Sequence, residues 1–490
     1  MPHVRLAAVP PGLRAALGAA LLLVALPPLG GCASAPAVTP GGAGAGDAEP
    51  VPVAAFASTY RPLPSPPTLI RGATVLTGTG ERIEGGSVLL VDGAVAAVGA
   101  GVEAPPEARV IEAAGRWVTP GLIDVHSHLG VYPSPDVEIL HDGNEATDPV
   151  TPEVWAEHSV WPQDPGFLTA LAGGVTTLQV LPGSANLIGG RGVTLKNVPS
   201  RTAQGMKFPG APYSLKMACG ENPKRVYGNR GRAPSTRMGN VAGYRQAWIE
   251  AQAYRDEWRH WREVVEKGEA EEVEPPQRDL AMETLLGVLD GEILVHNHCY
   301  RADEMAQMLD VAREFGYRVT AFHHAVEAYK VADLLAANGV CAAMWADWWG
   351  FKIEAYDGIR ENIALVDRPE GGCAIVHSDS EYGIQRLNQE AAKAMAAAWR
   401  AGFDVRREHA IRWVTANAAA ALGVAERTGT LEPGKMADVV VWSGDPFSVY
   451  SRADQVFVDG ALVYDRSDPA RQPEMDFTLG LLPAEMGGAR

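Results

Sequence analysis

Pairs of metal-capable side chains stand at the ends of several apolar segments of this 490-residue chain. His126 and His128 close the segment VTPGLIDVHSH. Residues i and i+2 of a strand project to one face, so both imidazoles can reach one metal ion. Three later strand-like segments end in comparable groups, namely His296-Asn297-His298, His323-His324 and His377-Ser378-Asp379. Four such strand ends predict a metal site assembled from different strands.

The elements that must position these side chains alternate along the chain. Between about Val118 and Gly423, apolar strand-like stretches such as EILVHNH and CAIVHSD alternate with helix-like ones such as DEMAQMLDVAREFG. This alternation is typical of a parallel sheet covered by helices. The length suits a (β/α)8 TIM-like barrel, in which chemistry gathers at the carboxyl ends of the strands. A doubly wound sheet is the alternative, although no glycine-rich fingerprint opens the first strand.

Both ends of the body carry β-hairpin signals. Asp92-Gly93 separates SVLLV from AVAAV, and Asp459-Gly460 separates QVFV from ALVY, which are two-residue turns between apolar strands. We therefore predict an α/β protein in which residues 68–117 and 424–467 form one small β-sandwich domain. The barrel, residues 118–423, is inserted between them, and residues 468–490 form a C-terminal tail.

Charge and cysteine content exclude some classes of protein. The chain has 42 Lys and Arg against 59 Asp and Glu, a net charge of -17, which argues against nucleic acid as a partner. The 5 cysteines include no C-x-x-C pair, so the sequence indicates neither a zinc ribbon nor a disulfide scaffold.

The N-terminus has the pattern of an export signal. Residues 1–31 begin with Arg5 and Arg14 and continue with the apolar run Ala15–Leu26, which is too short to span a bilayer. The following LGGC resembles the lipobox of bacterial lipoproteins, which implies lipidation of Cys32; ordinary cleavage is the alternative. We expect an exported protein at the cell envelope, on the periplasmic face of the outer membrane, which meets the membrane through a lipid anchor only. Residues 32–67 are poor in large apolar side chains and are expected to be a disordered tether.

The chain resembles the amidohydrolase superfamily of metal-dependent hydrolases. The resemblance rests on PGLIDVHSH, on the later histidines and aspartate, and on the closing TANAAAALGVAERTGTLEPGKMADVVVW. It is strongest with the imidazolonepropionase-like and prolidase-like branch, and it implies a barrel with two divalent metal ions, preferably Zn²⁺ for an imidazole-rich site. Manganese and iron remain open.

Carried over residue by residue, the resemblance implies a set of ligands and catalytic groups. Lys216, in YSLKMACGEN, would bridge the two ions as a carbamate. Glu221 is the alternative ligand, and a site without the lysine bridge would hold one ion. Asp379 would also take the proton of the attacking water, while His298 and His323 would contact substrate or steady an oxyanion. The implied metal ligands are His126, His128, Lys216, His296, His324 and Asp379.

These residues imply hydrolysis of an amide (C–N) bond by metal-bound hydroxide. The small-molecule substrate is expected to end in a carboxylate, as a dipeptide or an N-acyl amino acid does. The basic segment 221–237 supplies the candidate substrate-binding residues, with a solvated loop as the alternative. They are Arg225, Tyr227, Arg230 and Arg237.

Other readings of the chain stay open. A cyclic amide or lactone is an alternative substrate, and a non-catalytic binding protein on the same scaffold is an alternative function. Deaminase members of the superfamily place a glutamate three residues after the fifth-strand histidine, where this chain has Cys299 after His296 or Arg301 after His298. The resemblance therefore favours amide hydrolysis over deamination. LPGSANLIGGRG is interpreted as a tight turn, and the aromatic stripe of a helix over 244–274 either packs on the barrel or forms a lid. The sequence leaves a homo-oligomer open.

Overall fold

A computed structural model describes residues 55–134, 136–268 and 273–472, which belong to one compact unit. The proposed signal peptide, Cys32, the first part of the tether and most of the tail lie outside the described residues. Residues 55–67, which the sequence assigns to the tether, have no regular secondary structure but contact the body, since Ser58 donates a hydrogen bond to the Lys207 carbonyl (2.7 Å).

Two eight-stranded sheets contain the strands of the described residues. In chain order the strands are β1 (Thr68–Leu76), β2 (Arg82–Val91), β3 (Ala94–Gly99), β4 (Arg109–Glu112), β5 (Trp117–Pro120), β6 (Leu122–Ser127), β7 (Val175–Val180), β8 (Ile188–Lys196), β9 (Ser214–Ala218), β10 (Leu294–His298), β11 (Ala321–His323), β12 (Cys341–Met344), β13 (Ala374–Val376), β14 (Val439–Trp442), β15 (Ala453–Val458) and β16 (Ala461–Asp465).

Eleven α-helices connect or cover these strands within the described part of the chain. They are α1 (Pro165–Ala172), α2 (Ala203–Met206), α3 (Glu221–Gly228), α4 (Arg237–Glu266), α5 (Leu280–Leu289), α6 (Ala302–Phe315), α7 (Ala332–Ala337), α8 (Asn362–Asp367), α9 (Leu387–Arg400), α10 (Arg407–Ala410) and α11 (Ala416–Ala421). In residues 55–134, 136–268 and 273–472, no helix combines the length and the apolar character needed to cross a bilayer.

The second sheet is a nearly closed barrel. Its strands follow chain order from β6 to β13, and the Asp379 N–H, just after β13, donates to the His126 carbonyl of β6 (3.1 Å). A doubly wound sheet would instead reverse its strand order, so that alternative is wrong. The strands from β9 to β13 are parallel, which brings their carboxyl ends to one edge.

One strand departs from the predicted eight parallel strands. β8 runs antiparallel to both β7 and β9. The glycine-rich segment LPGSANLIGGRG is therefore only partly the predicted turn, because its last residues form the start of a fully buried strand. Gly190 shows why glycine is required there: its φ is +99°, and a Cβ would lie 2.2 Å from the Val154 carbonyl oxygen.

The first sheet joins the two ends of the body, as the sequence predicts. Its order is β16-β15-β14-β5-β1-β2-β3, with β4 paired to β1. Both predicted hairpins are confirmed: Asp92 and Gly93 have φ of 50° and 80°, and Asp459 and Gly460 have 45° and 76°. Hydrogen bonds connect all eight strands in one sheet, so a two-layer sandwich is not confirmed.

Helix α4 packs on the barrel, which confirms the first of the two interpretations of the aromatic stripe. Thr236 caps its N-terminus by accepting from Gly239 N–H, and the helix presents buried aromatic residues to the body. The Tyr244 hydroxyl donates to the Ala218 carbonyl, and the Trp248 and Tyr317 rings lie 4.4 Å apart. The apolar side of this helix is therefore occupied by the core.

Two disulfides cross-link the barrel, which the cysteine count did not indicate. Cys219–Cys299 joins the residues directly after β9 and β10, and Cys341–Cys373 joins the region of β12 and β13. Because each bridge closes between neighbouring strands, it needs no C-x-x-C spacing in the sequence.

Candidate active site

The carboxyl edge of the barrel brings together three electron-pair donors. His126 Nε2 lies 3.3 Å from His128 Nε2 and 3.3 Å from Asp379 Oδ1. His128 Nε2 lies 3.2 Å from the same oxygen. The first two residues come from the end of β6 and the third follows β13, so closure of the barrel creates the cluster. The structure thus confirms the predicted meeting of these three side chains.

A hydrogen bond to the backbone determines which ring nitrogen of His128 carries a proton. Its Nδ1 lies 2.9 Å from the Leu181 carbonyl oxygen, which can only accept. Nδ1 therefore carries the proton, and Nε2 presents a lone pair to the cluster.

A row of buried imidazoles fixes the tautomer of His126 in the same way. His296 Nε2 lies 3.0 Å from the Ala421 carbonyl oxygen and therefore carries a proton. Its Nδ1 then accepts from His323 Nε2 (2.8 Å), and His323 Nδ1 accepts from His126 Nδ1 (2.8 Å). Burial lowers the pKa of all three rings, to about 4 for His296, so they are neutral near pH 7. We call His126, His323, His296 and the Ala421 carbonyl the imidazole row.

The donor set fits a metal cation. With a single proton on each ring, held on Nδ1, two imidazole lone pairs and a carboxylate oxygen point at one another, and such an arrangement is repulsive without a positive charge. Imidazole nitrogen and carboxylate oxygen are ordinary ligands of zinc and similar divalent ions, and each imidazole has the outer hydrogen bond that such ligands usually have. Residues His126, His128 and Asp379 therefore form a candidate metal site.

Lys216 lies beneath this cluster. Its side chain is fully buried, its ammonium donates to the Pro182 carbonyl (2.9 Å), and burial lowers its pKa to about 7. Its positive charge also lowers the pKa of His298, after the larger effect of burial. Lys216 lies on β9 directly opposite His296 of β10, and its metal-ligand role stays a prediction.

Two further histidines face the cluster from the neighbouring strands. The His324 ring lies 4.4 Å from the His126 ring and 4.8 Å from the His298 ring. His324 Nε2 is 3.7 Å from Asp379 Oδ2, and its Nδ1 is buried with no hydrogen-bond partner. His298 Nδ1 contacts Ser184 Oγ at 2.9 Å.

The backbone at this edge is strained where the ligands stand. His324 and Asp379 have φ of 55° and 50°, in the left-handed region that side chains other than glycine rarely adopt. Asp124, which the sequence did not single out, stabilises the backbone just before Asp379. It accepts hydrogen bonds from the Ser378 N–H (3.3 Å) and from the Ser378 hydroxyl. Burial raises the pKa of Asp124 to about 7.

The two histidines on β10 lie at different depths from those expected. His296 was expected to bind metal and His298 to touch substrate. Both ring nitrogens of His296 are already hydrogen-bonded, deeper in the barrel, whereas His298 faces the cluster. His323 is also not at the substrate side, because it connects His126 with His296. Period-two spacing places i and i+2 on one face but does not tell which is deeper.

The alternative ligand Glu221 does not join the cluster. It begins α3, and its carboxylate faces the Lys352 ammonium at 3.5 Å.

The predicted carboxylate-binding loop is mostly engaged with the protein itself. Arg237 pairs with Glu354 and with Glu304, and Arg230 donates to the Ala146 carbonyl. Tyr227 is buried and donates to the Asp148 carbonyl (2.7 Å), while Arg225 is exposed. The structure therefore does not support a substrate grip by these four residues. Charge in the sequence does not distinguish a structural ion pair from a free cation.

An aromatic pocket adjoins the cluster and was missed in the sequence. It has a volume of about 550 Å³, and Asp379 forms part of its wall. The signal was present in WADWWGF directly after β12, which places rings at the barrel's carboxyl edge. We call this cavity the aromatic pocket; its rings are those of Tyr300, Trp345, Trp348, Trp349 and Phe351.

A nearly closed barrel-like sheet with a histidine and aspartate cluster at its carboxyl edge defines a class of hydrolases with a site for metal. Residues 376–464 match the model of the amidohydrolase family. A solved amidohydrolase from Thermotoga maritima is 36% identical, with a TM-score of 0.74, and the match covers 81% of this chain and 100% of that one. The chain belongs to the amidohydrolase superfamily, whose homologues act as hydrolases on C–N bonds.

Two curated relatives extend this comparison. The amidohydrolase tasK of Hapsidospora irregularis is 34% identical over 81% of this chain, and this chain spans 43% of that protein's length. The imidazolonepropionase of Mesorhizobium japonicum is 26% identical over 74% of this chain and 87% of its own length.

Proposed function

We propose that this protein is an exported, metal-dependent hydrolase that cleaves an amide bond of a small molecule with a free carboxylate, such as a dipeptide or an N-acyl amino acid. The observation that carries the proposal is the cluster of His126, His128 and Asp379, whose facing atoms lie 3.2 and 3.3 Å apart. A divalent cation held there, preferably zinc, supplies Lewis-acid polarisation of the carbonyl and makes water nucleophilic near neutral pH.

Asp379 moves the proton in this proposal. One of its oxygens faces the two imidazoles, and its side chain is 22% exposed and lines the aromatic pocket. A carboxylate in that position accepts a proton from the attacking water and delivers it to the leaving nitrogen. The hydroxyl of the water ends on the acyl carbon, the C–N bond breaks, and an amine and a carboxylic acid leave.

Lys216 is proposed to carry a carbamate, with His298 and His324 completing a second cation position. The pKa of Lys216 near 7 leaves much of it as the free amine, which adds carbon dioxide with loss of a proton. An ammonium has no lone pair, whereas a carbamate on Lys216 would supply anionic oxygens able to bind divalent cations. Labelling with ¹³C-bicarbonate tests this: a carbamate carbon signal is expected for the wild type and is absent from Lys216→Met.

Lys352 is the proposed partner of the substrate carboxylate, in place of the arginines. Its ammonium is close to the site, 2.9 Å from Asn222 Oδ1, and Asn222 Nδ2 in turn lies 3.5 Å from His298 Nε2. Lys352→Met is expected to raise KM for acids and to leave KM for the matching carboxamides unchanged.

A cyclic amide or lactone is the second candidate substrate. The similarity to an imidazolonepropionase over 87% of that protein's length favours it, and the same attack on a carbonyl opens a ring.

A substrate screen with a matched pair of variants tests the proposed function. Zinc-loaded protein is assayed for amine release from dipeptides and N-acyl amino acids, with bound metal measured in parallel. Asp379→Asn should lower kcat/KM by about 10²–10⁴-fold. Asp445→Asn is the control, because that side chain is 23% exposed, similar to Asp379, and pairs with Arg407 away from the cluster. Equal rates for metal-free protein, or an active Asp379→Asn, would contradict the proposal.

Attachment to the cell envelope through a lipid on Cys32 is also part of the proposal. The two disulfides of the barrel support export, because such bonds persist in oxidising compartments. Expression in a bacterium with labelled palmitate should label the wild type and not Cys32→Ser.

A further inference from the structure

The aromatic pocket has walls made of ring faces and edges. The Trp345 ring lies 5.7 Å from that of Trp348 and 5.8 Å from that of Phe351, and the Tyr300 ring lies 6.3 Å from that of Phe351. These separations fall within the range at which aromatic rings attract one another. An additional flat ring entering the cavity would meet the same kinds of surface.

The inner wall of the pocket is rigidly connected to the candidate metal site. Trp345 is buried, donates from its indole N–H to the Ser378 carbonyl (3.2 Å), and stacks on His324 with 4.5 Å between ring centroids. Ser378 directly precedes Asp379, which belongs to both the cluster and the pocket wall. A molecule whose carbonyl group reaches the cluster therefore has its neighbouring substituent in the pocket.

The outer wall offers unfilled apolar surface. Trp348 is 42% exposed and Phe351 is 59% exposed, although both are large aromatic residues. The charged side chains lie at the edge of this surface: Asp347 pairs with Lys393 at 2.7 Å, Asp379 belongs to the metal cluster, and the Lys352 ammonium lies 4.2 Å from the Tyr300 ring centre. The rest of the wall is aromatic and favours a flat apolar substituent.

We propose that the aromatic pocket is a specificity site for an aromatic substituent, of phenyl or indole size, carried beside the scissile amide. Its position beside that bond rests on the proposed function, whereas its preference for a ring does not. Substrates with an aromatic side chain are then favoured over those with a small or charged one by at least about tenfold, since ring–ring contacts add to the burial of the ring itself.

Binding and turnover test this separately. N-acetyl-L-tryptophan and N-acetylglycine, two compounds with the same amide and carboxylate, are titrated into the zinc-loaded protein by calorimetry. The tryptophan compound should bind at least tenfold more tightly. The double variant Trp348→Ala/Phe351→Ala should lose that preference, and Trp348→Ala alone should lose part of it.

Trp399→Ala is the matched control. Trp399 lies on α9 outside the pocket wall, and its exposed fraction of 44% is similar to the 42% of Trp348. The preference should be unchanged in this variant. Equal binding of the two compounds to wild type, or an undiminished preference in the double variant, would overturn the proposal.

Turnover distinguishes the two proposals. If the wild type hydrolyses glycine and tryptophan derivatives with equal kcat/KM, the specificity proposal fails while the hydrolase proposal stands. If it binds the indole compound preferentially but cleaves no amide in the series, the hydrolase proposal fails and the ring-binding site stands.

Discussion

The imidazole row predicts that a residue outside the metal cluster controls metal affinity. His323→Leu removes the acceptor that keeps the proton of His126 on Nδ1, 2.8 Å away. The His126 proton then either stays on a buried nitrogen without a partner, at a cost of about 1–3 kcal/mol, or moves to Nε2 and blocks the lone pair that faces the cluster.

Either outcome weakens the metal site by a similar amount. Loss of an outer hydrogen bond to a ligand typically reduces metal affinity 10–100-fold, which corresponds to about 1.4–2.7 kcal/mol. We therefore expect His323→Leu to bind zinc 10–100-fold more weakly, as measured by competition with a chromophoric chelator at pH 7.5. His323→Asn should restore much of the affinity, because its amide oxygen can accept from His126.

A double-mutant cycle separates the row from simple packing. His296→Leu acts one step further from the metal, so it should weaken zinc binding less than His323→Leu does. Combining the two should add almost nothing to His323→Leu, because the row is already interrupted. The reasoning is refuted if His323→Leu binds zinc within about threefold of wild type, or if the two losses simply add.

Three other predictions follow from buried groups. Burial lowers the pKa of Lys216 to about 7 from an ordinary 10.5, so between these pH values the unfolded chain binds more protons than the folded one. The unfolding free energy of the metal-free protein should therefore rise with pH in this window, by up to about 4–5 kcal/mol. Denaturant unfolding of Lys216→Met in carbon dioxide-free buffer should lack this rise, and the same pH dependence in both proteins would contradict the argument. Lys196 is fully buried between Asp438 (2.7 Å) and Asp459 (3.2 Å), so Lys196→Met should lower the unfolding free energy by about 3–5 kcal/mol. Arg245→Ala, which breaks an exposed ion pair with Glu314, should change it by less than about 1 kcal/mol. Equal effects of the two variants would refute the argument. Replacing Cys219 and Cys299 by serine removes a disulfide between residues 80 apart and should lower the unfolding free energy by about 2–5 kcal/mol in the same assay. Zinc binding should also weaken, because β9 and β10 carry Lys216 and His298. An unchanged unfolding midpoint would show that this disulfide does not stabilise the fold.

Much of the fold was predictable because its signals are local. The turns at Asp92-Gly93 and Asp459-Gly460 need positive φ at both residues, and Asp-Gly between apolar strands is the sequence signature of that turn. The direction of β8 was not predictable in the same way. Its glycines look like a turn, and only the antiparallel pairing of β8 with β7 and β9 shows that they begin a strand.

The candidate site also combines features that local spacing predicts with features that depend on distant residues. The spacing of His126 and His128 predicts a shared face, and the structure confirms that both meet Asp379. The depth of His296 and His298 along one strand, and the pairing of Arg237 with Glu304 and Glu354, depend on partners far away in the chain. No spacing rule contains that information.

The sequence by itself determined the class of chemistry, because residue type and local periodicity are enough to place metal-capable side chains at strand ends. The tertiary structure decided which of them face the metal, which orient a neighbour, and which rings line the pocket. Those roles depend on the hydrogen-bond partner that each side chain meets when the barrel closes. Ala421, for example, is 125 residues from His296 and still sets the tautomer of the whole imidazole row.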